Sequence, residues 1–167
     1  MRISKEKYYL EIAKAVALRS PCTRRKYGAI IVKNDAIVST GYNGPARGST
    51  NCEVGCIKNI LKLPHYSNYE LCPAIHAEEN CMINAARNGS SVSGGVLFLC
   101  GIDAETKKIV AGVPCDRCKR VLINAGITEV ITTDEKGEII RIEVSKWVEE
   151  DKRKYEETVE KAKKNQL

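Results

Sequence analysis

Between Ile3 and Arg19 the apolar residues Tyr8, Ile12, Ala15, Val16 and Leu18 recur near helical spacing. Ser20-Pro21 stops that run, because the residue before a proline is pushed out of the α region. The pattern predicts a helix. Two β-rich runs follow in YGAIIVKNDAIVSTGYNG, around Asn34-Asp35, and predict a hairpin. The second strand cannot extend far past Asn43, since Gly44-Pro45 and Gly48 open a polar, cysteine-bearing stretch that lasts to about Leu71. Loops of that length are usually functional or pinned by something.

The stretch IHAEENCMINAARNG is rich in helix formers and closes on Asn88-Gly89. GGVLFLC is a short, continuously apolar run, as a buried strand requires; CDRCKRVLINAG reads as a helix ended by Gly126, and ITEVIT and EIIRIEV as two further strands. From Ser145 to Leu167 the chain is charged and helical in pattern, a solvated helix or frayed tail with no assigned chemistry; Glu149 to Leu167 holds six basic and six acidic residues. GIDAETKKIVAGV, residues 101–113, is longer than a simple connection and is expected to make a small excursion over the site described below. Short apolar strands alternating with helices call for a sheet covered on both faces. The expected fold is α/β, a three-layer α/β/α arrangement with a mixed sheet of about five strands.

At 167 residues the chain has the length of one domain, expected to span 1–167, and can bury a core without staples. No window approaches the length of a membrane span and the amino terminus, MRISKEKYYLEI, lacks the apolar run of a signal peptide, so a cytoplasmic location is expected. In that compartment the eight cysteines point to metal ligation or simple burial rather than to a disulfide framework. The net charge of +6 is uneven: Met1 to Lys33 carries nine Lys or Arg against two Glu, which suggests a phosphate-bearing partner. With one Phe and one Trp, the chain has few of the aromatic platforms that nucleic-acid surfaces use, so a small anion fits better and nucleic acid is not the expected partner.

VPCDRCKR places Cys115 and Cys118 three apart at a predicted helix start. Two such thiols are half of a zinc shell or the ends of a redox pair. A hydrolytic zinc keeps three protein ligands and leaves one position to water. Of the two histidines, His65 and His76, the second opens HAE at another predicted helix start and is the candidate third ligand. Glu78, two residues on, can sit beside the metal without binding it and serve as general acid and base. Both halves fall where unpaired N–H groups and the positive helix end favour thiolates. Each half alone is commonplace; H-x-E followed by P-C-x-x-C is the signature of zinc-dependent nucleobase deaminases.

On these residues the chain resembles the cytidine and deoxycytidylate deaminase superfamily over nearly all of Lys5 to Val144. GAIIVKNDAIVSTGYNGPARGSTNC and CKRVLINAGITEVI are similar to the deoxycytidylate (dCMP) deaminases within it. The resemblance implies hydrolysis of dCMP to dUMP and ammonia, with water activated on zinc and Glu78 protonating first the ring nitrogen and then the leaving amine. It implies that Asn43, at the end of the second strand, contacts the sugar. It places Arg24 and Arg25, with Lys26 a weaker candidate, where family members hold phosphate, and a guanidinium fork suits phosphate oxygens. It further implies a homo-oligomer, with dCTP and dTTP as regulators.

Some relatives carry a second, structural zinc at positions matching Cys22 and Cys52. Here Cys56 and Cys72, with His65 as an alternative ligand, would complete the set and hold the long loop. Cys81 and Cys100 lie inside a helix and a strand, where core thiols are expected. The chain departs from the family pattern at Leu71-Cys72-Pro73-Ala74-Ile75, ahead of HAE. Alternatives within the superfamily act on CMP, modified cytidylates or tRNA adenosine. An alternative of another class is a non-catalytic zinc module binding nucleic acid through its basic amino-terminal segment, which would leave Glu78 without a role.

Overall fold

The computed structural model describes residues 2–164. Helix α1, Lys5–Ala17, starts slightly later than the apolar spacing suggests because Ser4 caps it, its hydroxyl accepting from the Lys7 N–H at 3.2 Å. Strands β1 (Arg25–Lys33) and β2 (Ala36–Tyr42) form the expected hairpin. Asn34 and Asp35 both take positive φ, 50° and 62°, the conformation that a two-residue turn between twisted strands requires. The long loop is closed at its two ends by a small ladder between β3 (Gly44–Pro45) and β4 (Ala74–Ile75). Between them lie 3₁₀ turns at Cys52–Val54 and Tyr69–Leu71 and one helical turn, α2 (Ile57–Ile60).

Then come α3 (Ala77–Arg87), β5 (Val96–Asp103), β6 (Ile109–Val110), α4 (Asp116–Asn124), β7 (Glu129–Thr133), β8 (Ile139–Glu143) and α5 (Ser145–Lys164). The sheet runs β2-β1-β5-β7-β8, with β6 added beside β5. Only the β5–β7 pairing is parallel, so the sheet is mixed, as expected. Alternate residues feed two cores. Ile30, Val32, Phe98, Cys100 and Ile102 pack under α1. Ala29, Ile31, Leu97, Leu99 and Val130 face Ala77 and Cys81 of α3, Leu122 of α4 and Trp147 of α5. Cys81 and Cys100 are buried in these two layers, and burial pushes their thiols up to about 12 and about 11.

Two expectations are corrected. The strand predicted to end at Cys100 continues to Asp103 and turns back through β6, so residues 101–113 extend the sheet rather than crossing the site; only Val113 of that stretch reaches the main cavity. The charged tail is not wholly solvated. Trp147 is buried, Lys119 of α4 stands 5.5 Å from its ring, and Arg120 pairs with Asp151 at 2.8 Å, so the first half of α5 docks on α4. Residues 165–167 of the predicted tail lie outside the described residues. No helix among the described residues is long and apolar enough to cross a membrane.

Helix α3 approaches β2 so closely that the contact demands glycine. A Cβ on Gly41 would lie 2.3 Å from the Cys81 nitrogen and 2.6 Å from the Ala77 carbonyl oxygen, both backbone atoms. Gly28 does the same for α1, where a Cβ would meet the Ala13 carbonyl oxygen at 2.2 Å. Gly41→Ala is therefore expected to lower stability by about 1–3 kcal/mol through overpacking, read from urea unfolding. A midpoint unchanged from wild type would show that α3 shifts freely.

Candidate active site

Two helix starts aim at one point. His76 precedes α3 as its N-cap, and its backbone N–H donates to the Glu79 carboxylate at 3.2 Å. Cys115 precedes α4 as its N-cap, with its Sγ accepting from the Cys118 N–H at 3.5 Å. The His76 Nδ1 lies 3.5 Å from the Cys115 Sγ and 3.4 Å from the Cys118 Sγ. A tetrahedral zinc with ordinary Zn–N and Zn–S bonds separates a nitrogen from a sulfur donor by about 3.6 Å, so both nitrogen–sulfur edges already have the length of a metal shell. It is the only set of three or more such donors within 4.8 Å of one another among the described residues.

The protonation of the triangle follows from its packing. The Cys115 thiolate is held down to about 4, first by the hydrogen bond from Cys118 and then by His76, against the opposing effect of burial. Cys118 is pushed up by the same hydrogen bond and by burial, which favour its thiol form beside the Cys115 thiolate. His76 is raised, chiefly by its hydrogen bond to Cys115. Glu78, one residue into α3, is 5% exposed and lines the same cavity as His76 and Cys115. Burial raises its pKa more than the imidazole of His76 lowers it, which suits a carboxyl that must both take and hold a proton.

The cavity, about 480 Å³, sits where β1 begins and β2 and β5 end, roofed by the long loop. Asn43 lines it, but its carboxamide is already engaged: Oδ1 accepts from the Tyr27 N–H and the Ser20 hydroxyl, each at 2.7 Å, and Nδ2 donates to the Arg25 carbonyl at 3.0 Å. Only one Nδ2 hydrogen is left to offer a ligand. Arg24 and Arg25 both line the cavity; Arg24 donates to the Leu63 carbonyl at 3.0 Å, and Arg25 donates to the Tyr66 hydroxyl and stacks over that ring at 5.0 Å. Lys26 is not among the lining residues.

Cys22, Cys52, Cys56 and Cys72 all line this cavity too, half-buried and free. The Cys52 thiol is raised by burial and then by Cys22, Cys72 and Cys56, so the four are neighbours, yet they are not drawn together to the spacing that the His76 triangle shows. His65 lines the same cavity as these cysteines, likewise outside any close donor cluster among the described residues. It is exposed, and the groups that depress its pKa, after burial, are Arg25, Arg24 and Lys58.

Three contributors carry little or no signal in the sequence. Glu79 accepts from the His76 N–H and, through the same Oε2, from Arg117 of α4 at 2.8 Å, tying the two halves of the triangle together. Its only sequence signal is an acidic residue at the third helical position, a common capping choice. Tyr69 sets its ring edge-on to His76, with centroids 5.2 Å apart. Lys58, buried in the loop, has no counterpart in any local pattern.

A family model described as the cytidine and deoxycytidylate deaminase zinc-binding region matches residues 3–134. A deoxycytidylate deaminase of Schizosaccharomyces pombe is 32% identical over 131 residues, 78% of this chain and 37% of the relative, so the chain spans under two fifths of that protein's length. One from Mycobacterium phage D29 is 32% identical over 135 residues, 78% of this chain and 94% of the relative. A solved structure of the dCMP deaminase from cyanophage S-TIM5, in complex with dCMP and dUMP, superposes with a TM-score of 0.60 at 27% identity, covering 80% of this chain and 84% of that one.

The depressed Cys115 gives a pH test on metal-free protein. Because the folded pKa lies below the ordinary thiol value, the thiolate persists above it and disappears only as pH falls through it. Iodoacetamide should alkylate Cys115 at a rate nearly constant from about pH 5 to 7, with the other thiols slow in that range. A Cys115 rate that climbs about tenfold per pH unit across the same range would contradict the assignment.

Proposed function

The chain belongs to the cytidine and deoxycytidylate deaminase family, and we propose that it hydrolyses the C4 amino group of dCMP, consuming water and releasing dUMP and ammonia. The observation that carries this reading is the His76, Cys115 and Cys118 triangle with buried Glu78 beside it in one cavity. The donor set fits zinc: one imidazole and two sulfurs at tetrahedral spacing, with a fourth side left free. The chemistry that a zinc ion supplies when bound at such a set is the acidification of a water molecule.

The chain's own residues supply the rest. Glu78 takes one proton of the attacking water and delivers it to the ring nitrogen N3. It then takes the remaining proton of the oxygen now bonded to C4 and passes it to the amino group, which leaves as ammonia while the C4 carbonyl forms. Its raised pKa keeps the proton on the carboxyl between those transfers. The N–H groups at the starts of α3 and α4 stabilise negative charge that gathers on the sulfurs and on the attacking oxygen. Asn43 offers its remaining Nδ2 hydrogen to the sugar, and Arg24 and Arg25 face the phosphate. The choice of dCMP is supported by relatives that bear that activity in their names and by the dCMP and dUMP held in the cyanophage structure.

Within the same reading, Cys22, Cys52, Cys56 and Cys72 hold a second zinc that pins the loop; the support is four thiols, with no carboxylate among them, around one cavity wall. Exposed Val54, Ile60 and Leu61 on that loop offer apolar surface for a homo-oligomer, and dCTP and dTTP remain the regulators to test. The protein acts in the cytoplasm on this reading.

Ammonia release from dCMP by wild type and Glu78→Gln decides the function. Loss of roughly 10²–10⁴-fold in the variant, with zinc content unchanged, is expected. Inactivity of both, with tight and steeply salt-dependent DNA or RNA binding, would favour the non-catalytic zinc module. Metal analysis of the purified protein should return two zinc ions per chain, and one would remove the loop site.

A further inference from the structure

Lys58 is 8% exposed, yet no carboxylate pairs with it among the described residues. Its Nζ donates to the Ser67 carbonyl and stands 5.2 Å from the Tyr69 ring centroid. A carbonyl and a ring face are weak compensation for an ammonium withdrawn from water. Two further cations, both half-buried, share its cavity. Arg24 has its Nη1 and Arg25 its Nε buried without a hydrogen-bond partner, and neither forms an ion pair among the described residues. Asp103, the cross-strand partner of Arg25, spends its Oδ1 on its own turn, accepting from the Glu105 and Thr106 N–H groups and the Thr106 hydroxyl.

Three cations without an ion pair among the described residues, one buried and two half-buried, face one cavity and suit an anion there. We propose that Lys58 is the third cation of a phosphate subsite, delivered by the loop between β3 and β4 to close over a phosphate monoester that Arg24 and Arg25 meet from the start of β1. The backbone of the loop is shaped accordingly. Lys62, Tyr66 and Asn68 all take positive φ, 53°, 61° and 47°, a left-handed conformation that for a bulky tyrosine is strained. The strained Tyr66 holds the Arg25 guanidinium under its ring, while Tyr69 bridges Lys58 to His76. A phosphate bound there would therefore order the loop against the metal triangle, so that Lys58 sets the preference for a nucleotide over a nucleoside.

This proposal rests on the deaminase reading for its substrate but not for its anion, and its test separates the two. Calorimetric titration of the intact protein with inorganic phosphate is the primary measurement. Binding by the wild type, weakened at least tenfold in Lys58→Met and restored to within threefold in Lys58→Arg, is expected. Across the same three proteins the ratio of kcat/KM for dCMP to that for deoxycytidine should fall at least tenfold in Lys58→Met only. Phosphate binding that fails in the wild type, or persists unchanged in folded Lys58→Met, would overturn the proposal. So would an equal fall in both kcat/KM values, which would make Lys58 a scaffold of the loop alone. If Lys58→Met releases zinc while phosphate binding is intact, the cations instead balance the Cys22, Cys52, Cys56 and Cys72 thiolates, and the subsite falls. Wild-type protein that binds phosphate through Lys58 but deaminates neither substrate would refute the deaminase reading and leave the subsite standing.

Discussion

The meeting of two helix amino-termini at one edge of the sheet is the constraint on which everything else rests. Neither His76 nor the Cys115 and Cys118 pair is a metal site alone, and 38 residues separate the imidazole from the nearer sulfur in the chain. The sheet brings them together: β2 fixes α3 through the bare backbone of Gly41, and β5 delivers the chain to α4. Glu79 then bridges the two starts, with one carboxylate oxygen accepting from His76's own N–H and from Arg117. Fixed N–H groups and the positive helix ends make the point of convergence hospitable to thiolates before any ion arrives.

How much of this is legible in the chain depends on the range of the interaction. Hairpin, helices and strands are readable because they are written in local periods and stop signals such as Asn34-Asp35 and Gly126. His76, Glu78, Cys115 and Cys118 are readable because the chemistry fixes both residue type and spacing at a helix start. The course of residues 101–113 is not, since β6 is a two-residue strand that exists only through its pairing with Gly101 and Ile102. Docking of α5 depends on Trp147 meeting α4, and Lys58 looks in sequence like any solvated lysine. The nearness of His65 to Arg24, Arg25 and Lys58 across the cavity has no local signature either.

The long loop emerges as the part of the molecule that joins these levels. It carries Cys52, Cys56 and Lys58, places Tyr69 against His76, and walls the cavity whose floor is Tyr27, Asn43 and Leu99 of the sheet. Its backbone is irregular, with positive φ at Lys62, Tyr66 and Asn68, and the strain this places on the bulky Tyr66 persists only where surroundings over-determine it. On the proposed phosphate subsite, Tyr66 and Tyr69 would link anion recognition at one end of this loop to the His76 triangle at the other.

The His76, Cys115 and Cys118 triangle is the set of donors that could hold a metal ion, and the proposed hydrolysis rests on it. Stripping the metal with a chelator and returning zinc in measured steps, while following ammonia released from dCMP, tests it most directly. Activity should vanish with the metal, return as zinc refills the protein, and never return in Cys118→Ser. Full ammonia release from metal-free protein, or from Cys118→Ser after the same treatment, would contradict it.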